Sequence, residues 1–296
     1  MKILVTGAGG LLGSKLVHIL SKENDVTPTH NVNPLQPNSI PMNIAEEDSV
    51  SRVLRSVRPD VVVHAAAMTN VDGCESNEEL AWGINVQGTR NIAQGCRTID
   101  AKLVYVSTDY VFDGEKGLYS EQDKTNPINY YGLTKLKGEE FATQLCRDSV
   151  VARASVVYGW HPTRTNFATW IIDSLRNRRQ LNVAIDHHNS PTLADDLAEI
   201  IGRIISSKAN GVYHTSGSER ISRYEFALKI ADIFKLDRSL VKPVKMKEIK
   251  AWTAKRPKDS SLSVGKLQND LGIEPLDLTR ALSRMKDSKS EAFKAK

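Results

Sequence analysis

The feature that most constrains the fold is a glycine-rich turn close to the start of the chain. The turn GAGGLLG follows the apolar run KILVT at residues 2–6 and opens the amphipathic segment at 11–23. A short strand-like segment at 25–31 completes a β-α-β unit. In this position glycines let the backbone approach a pyrophosphate at a helix amino terminus, so we predict a dinucleotide-binding loop. The glycines occupy every third position: Gly7, Gly10 and Gly13.

Apolar runs and amphipathic segments continue to alternate through the first half of the chain. Runs that are apolar along their whole length and separated by helices are typical of a parallel sheet covered on both faces. We therefore predict an α/β fold with a doubly wound parallel sheet of the Rossmann type. The predicted strands are 60–66, 102–107 and 149–155, and the predicted helices are about 46–57, 78–97 and 131–146.

The pattern changes after residue 157, which predicts a second, smaller α+β domain interleaved with the first. We expect a dinucleotide-binding domain over 1–157 plus about 181–207, and a substrate-binding domain over about 158–180 plus 208–296. The elements expected here are helices at 167–177, 190–207 (with Pro191 in its first turn) and 222–234, a strand at 181–185 and a short segment at 211–217.

Composition narrows the class of protein. No apolar run approaches the roughly 18 residues that a membrane-spanning helix needs, and the first residues do not have the pattern of a secretory signal. The cysteines are too few and too scattered for a disulfide framework or a metal site. We expect a cytoplasmic protein with no membrane partner and no metal. The cysteines are Cys74, Cys96 and Cys146.

The net charge of +5 comes largely from the last third of the chain, in 242–258 and 286–296. Such runs are usually solvated surfaces, and no nucleic-acid-reading motif accompanies them, so we expect no nucleic-acid partner. A phosphorylated small molecule would suit the first run equally well.

The end of the second predicted strand bears on the choice of dinucleotide. A carboxylate there would favour NAD, and an arginine would favour the 2′-phosphorylated form. The strand ends in His30 and Asn31, so neither signal is present. Because no carboxylate is present to repel the 2′-phosphate of NADP(H), we favour NADP(H) and leave NAD(H) open.

A pair of adjacent tyrosines in NYYGLTK precedes a lysine. Tyr131 and Lys135 are four residues apart and share a helix face, whereas Tyr130 is turned about 100° away. An ammonium close to a phenol lowers its pKa and makes it a better acid-base group. Taken alone, the pair would be interpreted as ordinary surface residues of an amphipathic helix. The motif STDYVF, however, places the hydroxyls of Ser107 and Thr108 after a buried strand, where open α/β sheets bind ligands.

With Asn85 in NVQGT, these motifs resemble the extended short-chain dehydrogenase/reductase superfamily. STDYVFDG, NPINYYGLTKLKGE and the later RP segment narrow the resemblance to the dTDP-4-dehydrorhamnose reductase family, from Lys2 to about Met285. One departure is Val156, in SVVY, where the family commonly has tryptophan near the sugar. The RP segment and the SxL and KL motifs that follow it comprise Arg256, Pro257, Ser260, Leu262, Lys266 and Leu267.

The resemblance implies a role for each matching residue. Asn85 is expected to support Lys135, and Arg256 to meet the substrate diphosphate through its planar fork. His64 is expected to be packed or adjacent to the cofactor, and His187 and His188 to be loop contacts instead of a metal pair. The catalytic set is Thr108, Tyr131 and Lys135. The substrate contacts are Thr108, Asp109, Tyr110, Asn166, Phe167 and Arg256. The cofactor contacts are Gly7, Gly10, Leu11, Leu12, Gly13, Ala65, Ala66, Ala67, Asn85, Ser107, Tyr131 and Lys135.

The resemblance implies an oxidoreductase of dTDP-rhamnose biosynthesis that reduces a nucleotide-linked 4-keto-6-deoxy sugar with NADPH. Two alternatives remain open. One is a non-catalytic NADP-binding subunit, similar to the β subunit of methionine adenosyltransferase, with a synthetase as partner. The other is a nucleotide-sugar epimerase or dehydratase that keeps its cofactor bound. The sequence leaves open the nucleotide, the sugar and whether the chain forms a homodimer.

Overall fold

The computed structural model describes residues 1–294, and the side chains of residues 1–288. The end of the basic tail predicted at 286–296 therefore lies outside the described residues. No helix in the described part of the chain is long and apolar enough to span a bilayer.

The strands and helices are numbered in chain order. The strands are β1 (Lys2–Thr6), β2 (Asp25–His30), β3 (Ile40–Pro41), β4 (Val61–His64), β5 (Lys102–Thr108), β6 (Ser149–Ala154), β7 (Val157–Tyr158), β8 (Leu181–Ala184), β9 (His188–Asn189), β10 (Thr192–Leu193), β11 (Gly211–His214), β12 (Ile221–Ser222) and β13 (Val241–Val244). The helices are α1 (Leu11–Leu20), α2 (Glu47–Val57), α3 (Val71–Ser76), α4 (Glu78–Trp82), α5 (Gly88–Ile99), α6 (Tyr130–Leu145), α7 (Phe167–Arg176), α8 (Ala194–Ile205), α9 (Arg223–Phe234), α10 (Gly265–Leu271) and α11 (Leu278–Lys294).

A seven-stranded sheet forms the centre of the molecule, in the order β11-β6-β5-β4-β1-β2-β3. All of its neighbouring strands are parallel. The chain winds outward from β1 in both directions, so the strand order reverses between β1 and β4. Ligands of such sheets bind at the carboxyl ends of the strands near this reversal. The predicted doubly wound α/β fold is confirmed.

Both faces of the central sheet are covered by helices. Because side chains alternate along a strand, Ile3 and Val5 of β1 pack on one face with Leu16 and Leu197 of α1 and α8. Leu4 points to the opposite face, where α2, α5 and α6 pack. Every residue of β6 is buried, as expected for an interior parallel strand.

A second packed region follows β7 and contains α7, α9 and α11 with the parallel pair β8–β13. Two strands differ from the expected division. Residues 181–184 were expected with the dinucleotide-binding domain but pair with β13, and residues 211–214 were expected with the substrate domain but extend the central sheet beside β6. We therefore propose that β8 belongs to the substrate-binding domain and β11 to the dinucleotide-binding domain.

The helix predicted over 78–97 is interrupted. Asn70 and Asn77 cap the separate helices α3 and α4, and a wide π-type turn over Gly83–Gln87 precedes α5. Such turns are frequent at functional sites. The turn could not be predicted, because the amino acids of Gly83–Gln87 continue the helical pattern of the residues on both sides.

The helix predicted over 190–207 begins only at Ala194, so the placement of Pro191 in its first turn is wrong. Thr192 instead pairs with Val157 in a short parallel bridge, and its hydroxyl donates to the Ser155 carbonyl at 2.6 Å. Tertiary contacts thus keep this segment extended.

Candidate active site

The glycine turn lies at the carboxyl end of β1, within the sheet reversal. Gly7 has a φ of +67°, and a Cβ there would lie 2.8 Å from the Ala66 backbone. A Cβ on Gly13 would overlap the Gly7 carbonyl oxygen. The turn therefore requires glycine for its geometry, as well as offering close backbone approach to a ligand.

The amino terminus of α1 is suited to a phosphate. Gly10 is its N-cap, and no side chain caps the helix, so the N–H groups of Leu11, Leu12 and Gly13 are left for a ligand. The turn 65–67 after β4 lies against the same loop, because the Ala66 N–H donates to Thr6 at 3.1 Å. These residues fit the pyrophosphate of a dinucleotide.

The end of β2 lies on the same edge of the sheet. His30 hydrogen-bonds through Nδ1 to Ser39 at 2.8 Å and is the last residue of the strand. The strand carries no acid at this end, and the choice between NADP(H) and NAD(H) made from the sequence stays a prediction at this position.

The carboxyl end of β5 presents Thr108 to the site. Its side chain accepts a hydrogen bond from the Tyr110 N–H at 3.2 Å and donates to Asp109 at 3.0 Å. Ser107, predicted to contact the cofactor, instead donates to Glu139 Oε1 at 2.5 Å. That carboxylate forms a buried ion pair with Arg153, so Ser107 is held behind the site.

Asp109 was expected to face the sugar, and the structure corrects this. Its carboxylate is only 2% exposed and accepts hydrogen bonds from four side chains. Burial raises its pKa, against the opposing effect of those hydrogen bonds. Asp109 therefore orients its neighbours instead of contacting a ligand. The four donors are Thr108, Ser155, Asn189 and Ser260.

Tyr131 lies beside Thr108, in the first turn of α6. Its ring is edge-on to that of Tyr110, with centroids 6.1 Å apart. Burial raises the pKa of Tyr131 above its ordinary value, while a hydrogen bond with the Thr108 side chain lowers it in part. The expected net lowering of this pKa is not observed, because the effect of burial dominates. The phenol therefore stays protonated at neutral pH.

Lys135 is 3% exposed and lies one helical turn beyond Tyr131. Its Nζ donates to the Val106 carbonyl at 2.7 Å and lies 4.2 Å from the Tyr105 ring centroid. Burial lowers the pKa of Lys135 from 10.5 to about 7, opposed mainly by Glu139. An anion brought close would favour the ammonium form.

Asn85 does not contact Lys135 directly. Its side chain makes two hydrogen bonds with the Met68 backbone, at 2.8 and 3.1 Å, and donates to Thr134 at 3.0 Å. Asn85 thus ties the segment after β4 to α6 through the neighbour of Lys135. Support for Lys135 through Thr134 is compatible with this arrangement, and the cofactor contact of Asn85 stays a prediction.

Two residues that sequence reasoning missed fix the start of α6. Asn129 caps the helix through the Gly132 N–H at 2.8 Å and also donates to the Lys255 carbonyl at 2.9 Å. A Cβ on Gly132 would overlap the Tyr110 carbonyl oxygen. The helix can therefore approach β5 closely enough for Tyr131 to reach Thr108 only because residue 132 is glycine.

A cavity of about 490 Å³ opens beyond Tyr110 toward the second packed region. It contains the predicted substrate residues Tyr110, Phe167 and Arg256. Asn166 is not among its lining residues, because its side chain caps α7 and donates to the Gly159 carbonyl at 2.7 Å. In this structure Asn166 positions the start of α7 beside Phe167, and its predicted substrate contact stays a prediction. Other residues of the cavity wall are Trp170, His187, Arg223 and Trp252.

Arg256, predicted to meet a diphosphate, forms an ion pair with Asp72. It also stacks near Trp252, with its guanidinium carbon 5.2 Å from the ring centroid. A second cavity of about 500 Å³ adjoins it and is lined by lysines of the basic run, among them Lys247 and Lys250. Trp252 and Arg256 line both cavities.

Val156 occupies the position where tryptophan was expected. It has a φ of +46°, which is strained for a β-branched residue, and it packs against the second core. Trp170 and Trp252 supply the aromatic surface of the cavity instead. The sequence around Trp170 and Trp252 does not predict their place in the cavity wall, because the tertiary fold brings them there.

The histidines mostly play structural roles. His64 is fully buried between Thr6 at 2.7 Å and Thr89 at 3.1 Å, and burial lowers its pKa to about 3. It is therefore a packed residue, one of the two roles expected. The backbone N–H of His188 donates to the Lys258 carbonyl at 2.7 Å, and His188 is paired with Ser222 between β9 and β12. Within residues 1–288 no group of histidine, cysteine and carboxylate side chains could hold a metal ion.

Comparison with known proteins places this site in a family. The model of the RmlD substrate binding domain matches residues 1–290. A dTDP-4-dehydrorhamnose reductase from Aggregatibacter actinomycetemcomitans is 31% identical, with 96% of this chain and 98% of the relative covered. Methionine adenosyltransferase 2 subunit beta from Mus musculus is 32% identical, with 92% and 83% covered.

A solved structure is also similar to this chain over nearly its full length. The crystal structure of dTDP-4-dehydrorhamnose reductase from Bacillus anthracis in complex with NADP has a TM-score of 0.89 and 32% sequence identity. The alignment covers 97% of this chain and 99% of that one. The similarity therefore extends through both packed regions.

Proposed function

The chain belongs to the dTDP-4-dehydrorhamnose reductase family of extended short-chain dehydrogenases/reductases, and on that basis we propose that it is an NADPH-dependent reductase. Its substrate is a nucleotide-linked 4-keto-6-deoxy sugar, and its product is dTDP-L-rhamnose or a related sugar nucleotide. The observation that carries the proposal is the placement of Tyr131 beside Thr108, next to the cavity that opens beyond Tyr110.

The cofactor is held by the loop of Gly7, Gly10 and Gly13 and the uncapped start of α1. NADPH, when bound there, supplies the hydride that reduces the ketone carbon. A relative of high structural similarity carries NADP, which supports the 2′-phosphorylated form. The absence of an acid at the end of β2 agrees with that choice.

Tyr131 supplies the proton. The carbonyl carbon gains a hydride and its oxygen gains the phenolic proton, so ketone becomes alcohol and the phenol becomes phenolate. The raised pKa of Tyr131 keeps the proton available at neutral pH. A placed general acid typically contributes about 10² to 10⁴ in rate.

Thr108 and Lys135 complete the proton-donating group. The Thr108 oxygen is fixed by the Tyr110 N–H, and its proton, donated to Asp109 in this structure, turns to the substrate oxygen to orient the carbonyl. Lys135 is fixed by the Val106 carbonyl. Its ammonium would hold the hydroxyl groups of the nicotinamide ribose and stabilise the phenolate left after proton transfer. Phe167 lines the sugar pocket, and Arg256 contacts the diphosphate.

A non-catalytic subunit is the second candidate, because a regulatory-subunit relative is as similar as the reductase. Fold alone does not decide between them. The complete set Thr108, Tyr131 and Lys135 favours the enzyme. A regulatory subunit would have a synthetase as its partner, whereas a reductase is compatible with a homodimer. Light scattering after gel filtration distinguishes the two assemblies when the protein is run alone and together with a methionine adenosyltransferase.

The test is NADPH oxidation, measured at 340 nm, against dTDP-, UDP- and GDP-linked 4-keto sugars. The reductase proposal predicts stoichiometric NADPH consumption with at least one of them. An epimerase or dehydratase would change the sugar without net consumption. No consumption with any of them, together with co-purification of a synthetase, would favour the regulatory subunit.

A further inference from the structure

The wall of the cavity beyond Tyr110 contains a cation, Arg223, that forms no ion pair with any carboxylate of residues 1–288. Arg223 begins α9 and is partly buried, with its remaining exposed surface at the cavity wall. Its Nε donates to Asn189 Oδ1 at 2.7 Å, and its guanidinium carbon lies 4.8 Å from the Phe167 ring centroid. The Tyr110 side chain also interacts with the guanidinium.

All of these partners are uncharged. No carboxylate in residues 1–288 lies within ion-pair distance of Arg223; Asp109 acts on it at longer range, and the Asn189 amide bridges the two side chains. An arginine cannot lose its proton to relieve the cost of burial. An enclosed guanidinium of this kind is therefore balanced best by an anionic ligand.

His187 lies on the same wall, and its ring nitrogens lack hydrogen-bond partners in the described part of the chain. Its side chain is 2% exposed, and in the described part of the chain neither ring nitrogen makes a hydrogen bond. The ring is edge-on to Trp252, with centroids 5.6 Å apart. A neutral imidazole has one donor and one acceptor, and leaving both unmade in a buried position is unfavourable.

Arg256 differs from Arg223 in its charge balance. The two arginines line one cavity, but Asp72 already neutralises Arg256 through an ion pair. Both arginines also lower the pKa of His187, after the larger effect of burial, which places the three side chains in one electrostatic neighbourhood. An anion between them would be stabilised chiefly by the charge of Arg223.

We propose that Arg223 and His187 form the anion-binding wall of this cavity and position the diphosphate of a nucleoside diphosphate ligand. The role rests on the proposed function. Asn189 holds the guanidinium so that its terminal N–H groups serve phosphate oxygens, a geometry that suits arginine better than lysine. One ring N–H of His187 donates to the same anion.

The experiment measures binding without turnover. Quenching of tryptophan fluorescence is titrated with dTDP, UDP and inorganic pyrophosphate, since Trp252 and Trp170 line the cavity. The variants are Arg223→Met, Arg223→Lys, His187→Phe and His187→Gln. Arg176→Met, which removes an exposed cation from α7, is the matched control. NADPH binding by each variant checks that it is folded.

The proposal predicts that Arg223→Met weakens pyrophosphate and dTDP binding about tenfold or more, with Arg176→Met unchanged. His187→Phe should weaken both by several-fold, and His187→Gln should restore part of the loss. If Arg223→Met does not fold, Arg223→Lys still tests the fork geometry, because it should bind several-fold more weakly than the wild type.

Wild-type affinity in folded Arg223→Met or Arg223→Lys would overturn the inference, as would a wild-type protein that binds neither dTDP nor pyrophosphate. Failure of the proposed function is a separate result: it appears as absent NADPH oxidation while Arg223-dependent pyrophosphate binding persists.

Discussion

Arg256 and Asp72 form a two-pronged ion pair, with Nη2 at 2.7 Å from Oδ2 and Nη1 at 3.0 Å from Oδ1. Asp72 also accepts the N–H groups of Thr253 and Ala254, so it joins α3 to the cavity wall. Burial acts to raise the pKa of Asp72, but the hydrogen bonds from Arg256 and these two N–H groups outweigh it and hold the pKa below its ordinary value. The carboxylate therefore offsets the charge of Arg256 at neutral pH.

Neutralising Asp72 should release that charge for substrate. We expect Asp72→Asn to lower KM for the nucleotide sugar roughly two- to fivefold, which corresponds to a partly exposed ion pair. Steady-state kinetics measure this, with Glu79→Gln on the neighbouring helix as control. A raised KM in Asp72→Asn would show that the carboxylate positions Arg256 for binding instead of competing with the ligand.

The dinucleotide loop gives a second prediction. A methyl group on Gly13 would overlap the Gly7 carbonyl oxygen, whereas Gly83 has open space at the same position. We expect Gly13→Ala to weaken NADPH binding at least about tenfold and to cost about 1–3 kcal/mol of unfolding free energy. Gly83→Ala should leave both within about 1 kcal/mol of the wild type. Equal NADPH affinity in the two variants, measured by fluorescence, would contradict the assigned loop.

The parts of the structure that the sequence predicts are those set by local pattern. The glycine spacing, the buried strands and the helix containing Tyr131 and Lys135 each follow from periodicity within one segment. Their convergence also follows, because parallel strands end at one edge of the sheet. These elements lie where they were expected, within a few residues.

The rest depends on long-range contacts that no local pattern encodes. Ser107 and Asp109 have the residue types of a ligand site, but they are paired with Glu139 and with partners from distant segments. Arg223 reads as an ordinary first-turn residue of a capped helix, since Ser222 and Glu225 form its capping box. Only the packing of α9 against the cavity gives it a binding role.

The ion pair behind the site gives a third prediction. Glu139 and Arg153 are about 5% exposed and make two hydrogen bonds at 2.9 and 2.6 Å. We expect Glu139→Ala to cost about 3–5 kcal/mol of unfolding free energy, because it leaves a buried guanidinium without its partner. Urea denaturation measures this.

Glu140 on the same helix is the matched control. It pairs with Lys137 at the surface, so Glu140→Ala should cost less than about 1 kcal/mol. Similar losses in the two variants would mean that burial does not set the strength of the Glu139 pair.

The lowered pKa of Lys135 leads us to predict that the stability of the cofactor-free protein depends on pH. Burial lowers its pKa to about 7, below the 10.5 of the unfolded chain. Between these values the unfolded state binds more protons, so stability rises with pH from about 7 to 10.5, by up to about 1.4 kcal/mol per pH unit from this group. Lys135→Met should remove this rise, as judged by urea denaturation between pH 7 and 10, and Lys137→Met on the same helix should not. A slope that survives in Lys135→Met would assign it to other groups.

The proton donor is the centre of the account, and Tyr131→Phe tests it most directly. The substitution removes one oxygen and keeps the ring that packs against Tyr110. The measurement is the single-turnover rate of NADPH oxidation with a nucleotide-linked 4-keto-6-deoxy sugar, beside NADPH affinity as a check of folding. We predict a fall of about 10² to 10⁴ in that rate with NADPH affinity within twofold of the wild type. A rate equal to that of the wild type would contradict the assignment of Tyr131.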